Sequence, residues 1–214
     1  MFRVEDLREE VREPFIGLAV LAEFPCKCRI CQKGTAKLLE MGRQPRTTDR
    51  VHIVIKPLEK YQKFQNAWYN RSNLIWSALG AFTIALNNLI GFKPKSDSVE
   101  EQWKEVKQFI EGKVFLWESV KPAEWVSKTL NKPIPRNIPP ALKDAKEQWI
   151  PVKIVTKEEL EQKGIIVNLE ELRKKALEEW KEQLATMTEE EVEEMTVGMD
   201  KGEEEFSLDS ILKA

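Results

Sequence analysis

Residues 50–92 read RVHIVIKPLEKYQKFQNAWYNRSNLIWSALGAFTIALNNLIGF, and the parsing of this stretch decides the fold. Val51, Ile53 and Ile55 alternate with His52, Val54 and Lys56 as far as Pro57, which is the period of a strand that buries one face. Lys60, Tyr61, Lys63, Phe64, Trp68, Tyr69 and Arg71 follow, flat rings among cations with almost no acid. Ser72 or Asn73 then caps a helix in which Leu74, Ile75, Leu79, Phe82, Leu86, Leu89 and Ile90 keep a 3.6-residue spacing up to Gly91. That helix carries no charge between Ile75 and Gly91, so it belongs in a core or under a sheet. Ser77, Thr83, Asn87 and Asn88 interrupt it, which argues against a membrane span.

Rings interleaved with cations suit a polyanion that carries bases. Lys and Arg hold phosphates whatever the sequence, and each unstacked base laid on a ring contributes roughly 1–3 kcal/mol. Lys60, Lys63, Trp68, Tyr69 and Arg71 are therefore expected to contact single-stranded nucleic acid. The competing reading makes Trp68 and Tyr69 core residues of a short strand.

The chain has 214 residues, 33% of them charged, with seven Trp and eleven Pro, which describes a soluble globular protein bearing a solvated extension. High Lys and Glu with few amides resembles thermophile composition. The opening MFRVEDLREEVREP is amphipathic and of mixed charge, unlike a secretory leader, so a cytoplasmic location is expected. The net charge of −2 conceals a division. Between Phe24 and Lys95, thirteen Lys or Arg face three acids, whereas from Glu178 onward thirteen acids face three Lys. A basic body with an acidic end fits nucleic-acid binding, with the end contacting a protein partner or competing for the basic surface.

All three cysteines lie in PCKCRICQKG. Cys26, Cys28 and Cys31 on one tight loop point to a metal site, since cytosolic thiols stay reduced. The only histidine, His52, lies at the start of the adjoining strand and completes a Cys3His set suited to structural zinc. A redox pair of Cys28 and Cys31, an iron–sulfur cluster shared with another chain, and plain reduced thiols are the other readings. Lys27, Arg29, Lys33, Lys37, Arg43 and Arg46 surround the loop, and Arg29 and Arg46 are counted among the phosphate contacts.

The remaining elements are read from pattern. Strands are expected at Pro14–Phe24, Arg50–Leu58, Ala67–Tyr69, Lys113–Val120 and Gln148–Thr156, the last an edge or bulged strand because of Pro151. Val99–Glu111 is an amphipathic helix stopped by Gly112, and the prolines from Pro122 to Pro140 mark an ordered loop. Thr156 opens a short helix with a capping box, and Asn168 caps a long one over Leu169–Met187. Residues 189–214 read as an acidic, disordered tail with a partner motif around Phe206–Leu212.

The strand order, with a helix between the third and fourth strands, matches an OB-fold. VHIVIKPL, AWY followed by SNLIWSALGAF, GKVFLWE and QWIPVKIV resemble segments of small OB-fold single-stranded-DNA-binding proteins of phage and thermophile type, over about residues 14–156. The resemblance implies strand binding on the barrel face by Lys56, Trp68, Tyr69 and Trp76. The cysteine loop and the helical extension depart from that pattern. The expected architecture is thus mixed α+β: an OB-like five-stranded barrel over residues 1–156 with a zinc loop at 24–50, a helical extension at 157–188 and a tail at 189–214. The expected function is single-stranded nucleic-acid binding in replication, recombination or repair. The alternative is a zinc-stabilised scaffold or adaptor subunit of a transcription, replication or CRISPR-type complex. No nucleophile with histidine and acid partners and no Gly-rich phosphate loop is apparent, so no enzymatic activity is expected.

Overall fold

Phe15–Glu23 is apolar almost throughout and forms the central strand, β1, because only a strand covered on both faces has use for so continuous an apolar run. The computed structural model describes residues 12–42, 50–70, 76, 78–138 and 146–196. Around β1 stand β2 (Arg50–Pro57), β3 (Gln65–Asn70), β4 (Val114–Val120) and β5 (Gln148–Ile154), in the spatial order β3-β2-β1-β4-β5 with antiparallel ladders throughout. Gly17 lies where β1 is squeezed hardest. A Cβ there would come within 2.6 Å of Ile55 Cγ2 and 2.7 Å of Phe15 Cε2, so only glycine fits.

Seven α-helices are present among the described residues: α1 (Arg29–Glu40), α2 (Ala78–Ile84), α3 (Val99–Ile110), α4 (Pro122–Leu130), α5 (Lys157–Gln162), α6 (Leu169–Thr186) and α7 (Glu189–Thr196). A π turn, Ala85–Leu89, continues α2 towards Gly91, whose φ of +74° ends it. The sheet lies between two helical layers. On one face Val51, Ile53, Ile55, Phe115 and Trp117 pack with Phe82 and Leu86 of the apolar helix and with Val106 and Ile110 of α3. On the other, Ile16, Leu18 and Val20 meet Leu160 of α5 and Ala176 of α6, while Val54 meets Ile30, Trp180 and Val192. Residues 157–186, expected as an extension, therefore supply part of the core.

The five expected strands are all present, and four expectations change. The sheet is not closed into a barrel: among the described residues β3 pairs only with β2 and β5 only with β4. Pro151 has no N–H to offer, and the β4–β5 register shifts between Leu116 and Trp117, which leaves β5 an edge. Side chains bridge the gap, with the Tyr69 hydroxyl donating to the Trp149 carbonyl and the Trp149 ring edge-on to Phe15 at 4.8 Å. The cysteine loop becomes helical from Arg29. The proline-rich loop begins with α4, because Pro122 occupies the first turn, where its missing N–H costs nothing. Finally, Glu189–Thr196 is helix, opened by a reciprocal box in which Thr188 and Glu191 exchange side-chain and backbone bonds at 3.2 and 2.8 Å. The partner motif expected around Phe206–Leu212 lies outside the described residues. No described helix is long and apolar enough to cross a membrane.

Candidate metal centre

The three cysteines reach one point by three different local devices. β1 ends at Glu23, a cis Phe24–Pro25 bond turns the chain, and the Cys26 N–H donates to Arg50 O at 3.1 Å, which fixes Cys26 beside the start of β2. Cys28 is the N-cap of α1, with extended backbone, and Cys31 lies three residues on in the first turn. Residues three apart on a helix share a face, so Cys28 and Cys31 point the same way. His52 alternates with Val51 and Ile53 and so projects from β2 on the face they do not use.

Cys26, Cys28 and Cys31 place their Sγ atoms 3.4, 3.6 and 3.8 Å from His52 Nδ1, and all four ligand atoms lie within 4.8 Å of one another. The four are close enough to hold one metal ion. Cys31 and His52 are buried and Cys26 and Cys28 half-buried.

The imidazole is held from behind. Its Nε2–H donates to Asn66 Oδ1 at 2.9 Å, leaving Nδ1 directed at the thiols. Trp68 stacks on the ring at 5.0 Å with 21° between planes, and Trp180 meets it edge-on at 6.0 Å. Arg50, 1% exposed, donates from Nη1 to Cys31 O at 3.3 Å and so ties the start of β2 to the first turn of α1.

Without a cation, the donors disagree about protons. Hydrogen bonds from Cys26 and Cys31 hold the Cys28 thiol far below its ordinary range, whereas hydrogen bonding to Cys26 and Cys28, with burial, pushes Cys31 up. Burial disfavours the imidazolium, yet hydrogen bonds and charge from Cys26 and Cys28 outweigh it and raise His52 to about 9. A divalent ion at the centre removes the conflict by replacing the protons.

The residues expected to hold nucleic acid stand in different surroundings. Lys56 pairs with Glu179 at 2.7 Å and lies over the Phe64 ring, and Lys60 donates to Pro14 O at 2.8 Å. Lys63 is exposed. Trp68 belongs to the packing around His52, and Trp76 packs with Ala81, Trp125 and Ile150 in a separate cluster. Tyr69 is fully buried and stacked on Phe82 at 4.6 Å, so the expectation of base stacking on it gives way to a core role. Arg29 turns to the C-terminal helices. Arg46 and Arg71 lie outside the described residues.

Asn66 and Trp180 were not among the expected site residues. The β2–β3 register sets His52 opposite Trp68 and Val54 opposite Asn66, so all four share a face. With that register in hand, Asn66 is legible as the diagonal neighbour of His52. Trp180 has no such local signal, being brought in from 128 residues away by the docking of α6. No protein-family model, curated protein or solved structure matches this chain, so the site is read from its own geometry.

Proposed function

We propose that this chain is a non-enzymatic, zinc-stabilised protein that binds single-stranded nucleic acid. The strand order β3-β2-β1-β4-β5, with the helical insert between β3 and β4, carries the reading, because it is the order of an OB-fold even though the sheet stays open. In that arrangement the β1–β2 and β4–β5 connections flank the binding face. Here the β1–β2 connection holds the metal centre and exposes Lys27, and the β2–β3 turn exposes Lys60 and Lys63.

Zinc is favoured by the donor set and its spacing. A tetrahedral ion with Zn–S of about 2.3 Å and Zn–N of about 2.0 Å puts sulfur and nitrogen about 3.5 Å apart. The separations of 3.4, 3.6 and 3.8 Å suit one such ion better than a cluster of several irons. With four protein ligands the coordination is closed, a structural arrangement, and the chain's only histidine is committed to it.

Fluorescence anisotropy with single-stranded and duplex oligonucleotides tests the reading. Single strands bind more tightly, with a salt slope of about −0.7 per neutralised phosphate, and Lys60→Gln with Lys63→Gln flattens that slope. Equal or absent binding of both forms sinks it. The adaptor reading would then stand, favoured by one observation: Glu179, Glu189 and Glu193 already occupy Lys56, Arg29 and Lys37.

A further inference from the structure

α7 rests on the helix that the metal ligands begin. Its buried Val192 packs with Ile30 of α1 and with Met187, which precedes α7. Arg29, Lys33 and Lys37 follow one another at four-residue spacing and so line one side of α1. Glu189 pairs with Arg29 at 2.7 Å and Glu193 with Lys37 at 2.9 Å, and the hydrogen bond from Lys37, with the Lys37 and Lys33 charges, holds the Glu193 carboxyl below its usual range. An acidic helix thus covers a basic stripe.

Arg29 joins this contact to the metal centre. It lies between Cys28 and Cys31, so the orientation of the first turn of α1 decides where its guanidinium goes. Nη1 donates to Leu184 O at 3.1 Å and Met187 O at 3.0 Å, and Nη2 donates to Glu189 at 2.7 Å. One side chain therefore caps the end of α6, fixes the turn into α7 and neutralises an acid in the first turn of α7. The Arg29–Glu189 pair is itself exposed and contributes little alone. Its effect comes from being presented together with Ile30 by a helix start of fixed orientation. The N-cap of α1 makes no side-chain cap bond, and apart from the Arg50 bond to Cys31 O it is the ligands that set this turn.

We infer that the metal centre is the latch that docks the acidic helix α7 on α1: ligation through Cys28 and Cys31 orients Arg29 and Ile30 to receive the α6–α7 junction. Loss of the metal releases α7 and bares the Arg29–Lys33–Lys37 stripe. The inference rests on the zinc reading of the Cys3His site. By linkage the coupling is reciprocal, so docking of α7 tightens the metal by the same factor that the metal tightens docking.

The experiment compares amide hydrogen exchange in the full chain loaded with zinc and stripped by a chelator, with metal content measured on both. On stripping, protection of the amides in 189–196 falls on the order of tenfold, while the β1–β2 ladder keeps its protection. Arg29→Gln retains one zinc per chain yet loses α7 protection as the stripped protein does, and Val192→Asp weakens zinc affinity on the order of tenfold against a competing chelator. Zinc bound with α7 protection the same in loaded, stripped and Arg29→Gln proteins overturns the latch and leaves the metal reading intact. No bound metal overturns both. If stripping unfolds the whole chain, the zinc affinity of Val192→Asp decides: weakened affinity supports the latch, and unchanged affinity overturns it.

Discussion

At the scale of single residues, the centre depends as much on Asn66 as on its ligands. A neutral histidine can bind through either nitrogen, and the partner of the other nitrogen settles which one. With Asn66 Oδ1 accepting from Nε2–H at 2.9 Å, Nδ1 is the nitrogen left to bind a metal, and it lies 3.4 to 3.8 Å from three sulfurs. Asn66→Leu keeps the side-chain volume and removes the acceptor, so zinc affinity falls about 10–100-fold by chelator competition. Asn66→Asp retains an acceptor and holds affinity near that of the parent. Equal affinity in the leucine variant would show that stacking by Trp68 alone aligns the ring.

At the scale of elements, legibility followed the locality of the signal. β1 declares itself through a continuous apolar run and β2 through apolar alternation, and the caps at Thr156 and Asn168 are local bonds: Asn168 accepts from the Glu170 and Glu171 amides at 3.2 and 3.3 Å. The four residues that lie close enough to hold a metal ion were legible for the same reason, three in a short stretch and the fourth the only histidine. α1 and α4 were obscured by residues with two readings. Cysteines suggested a loop but begin a helix, and Pro122 suggested a break but starts one. α7 opens with a box at Thr188 and Glu191, a local signal set in a stretch whose charge density is that of a solvated tail. The open sheet was not legible, because closure depends on how two distant edges meet. The two caps separate the helices energetically. Asn168→Ala should lower global stability in urea by about 1 kcal/mol, since α6 carries the fully buried Trp180 and Ala176 into the core. Thr188→Ala should instead leave the urea midpoint nearly unchanged and raise exchange only in α7, because that helix adds only Val192 and Thr196 to the buried residues. Equal global losses for both would mean that α7 unfolds together with the sheet.

At the scale of the molecule, the metal centre lies beside the main core and not inside it. Phe15, Ile53, Ile55, Phe82, Phe115, Trp117 and Trp149 form the largest buried cluster, and none of the four ligands belongs to it. The β1–β4 and β4–β5 ladders likewise run without passing the site. A core of this kind holds a sheet together without metal, unlike the small domains whose folding is metal binding. The stripped protein should therefore keep its far-ultraviolet strand signal while the near-ultraviolet signal changes, because Trp68 and Trp180 are the rings set against His52. Zinc that binds only the native state must still stabilise it, by about 1.4 kcal/mol for each tenfold rise in free zinc above the dissociation constant. The melting temperature should thus climb steadily when free zinc is set by a metal buffer. A melting temperature indifferent to zinc would show that the four ligands are not a native metal site. Simultaneous loss of both circular-dichroism signals on stripping would show that the sheet depends on the site after all.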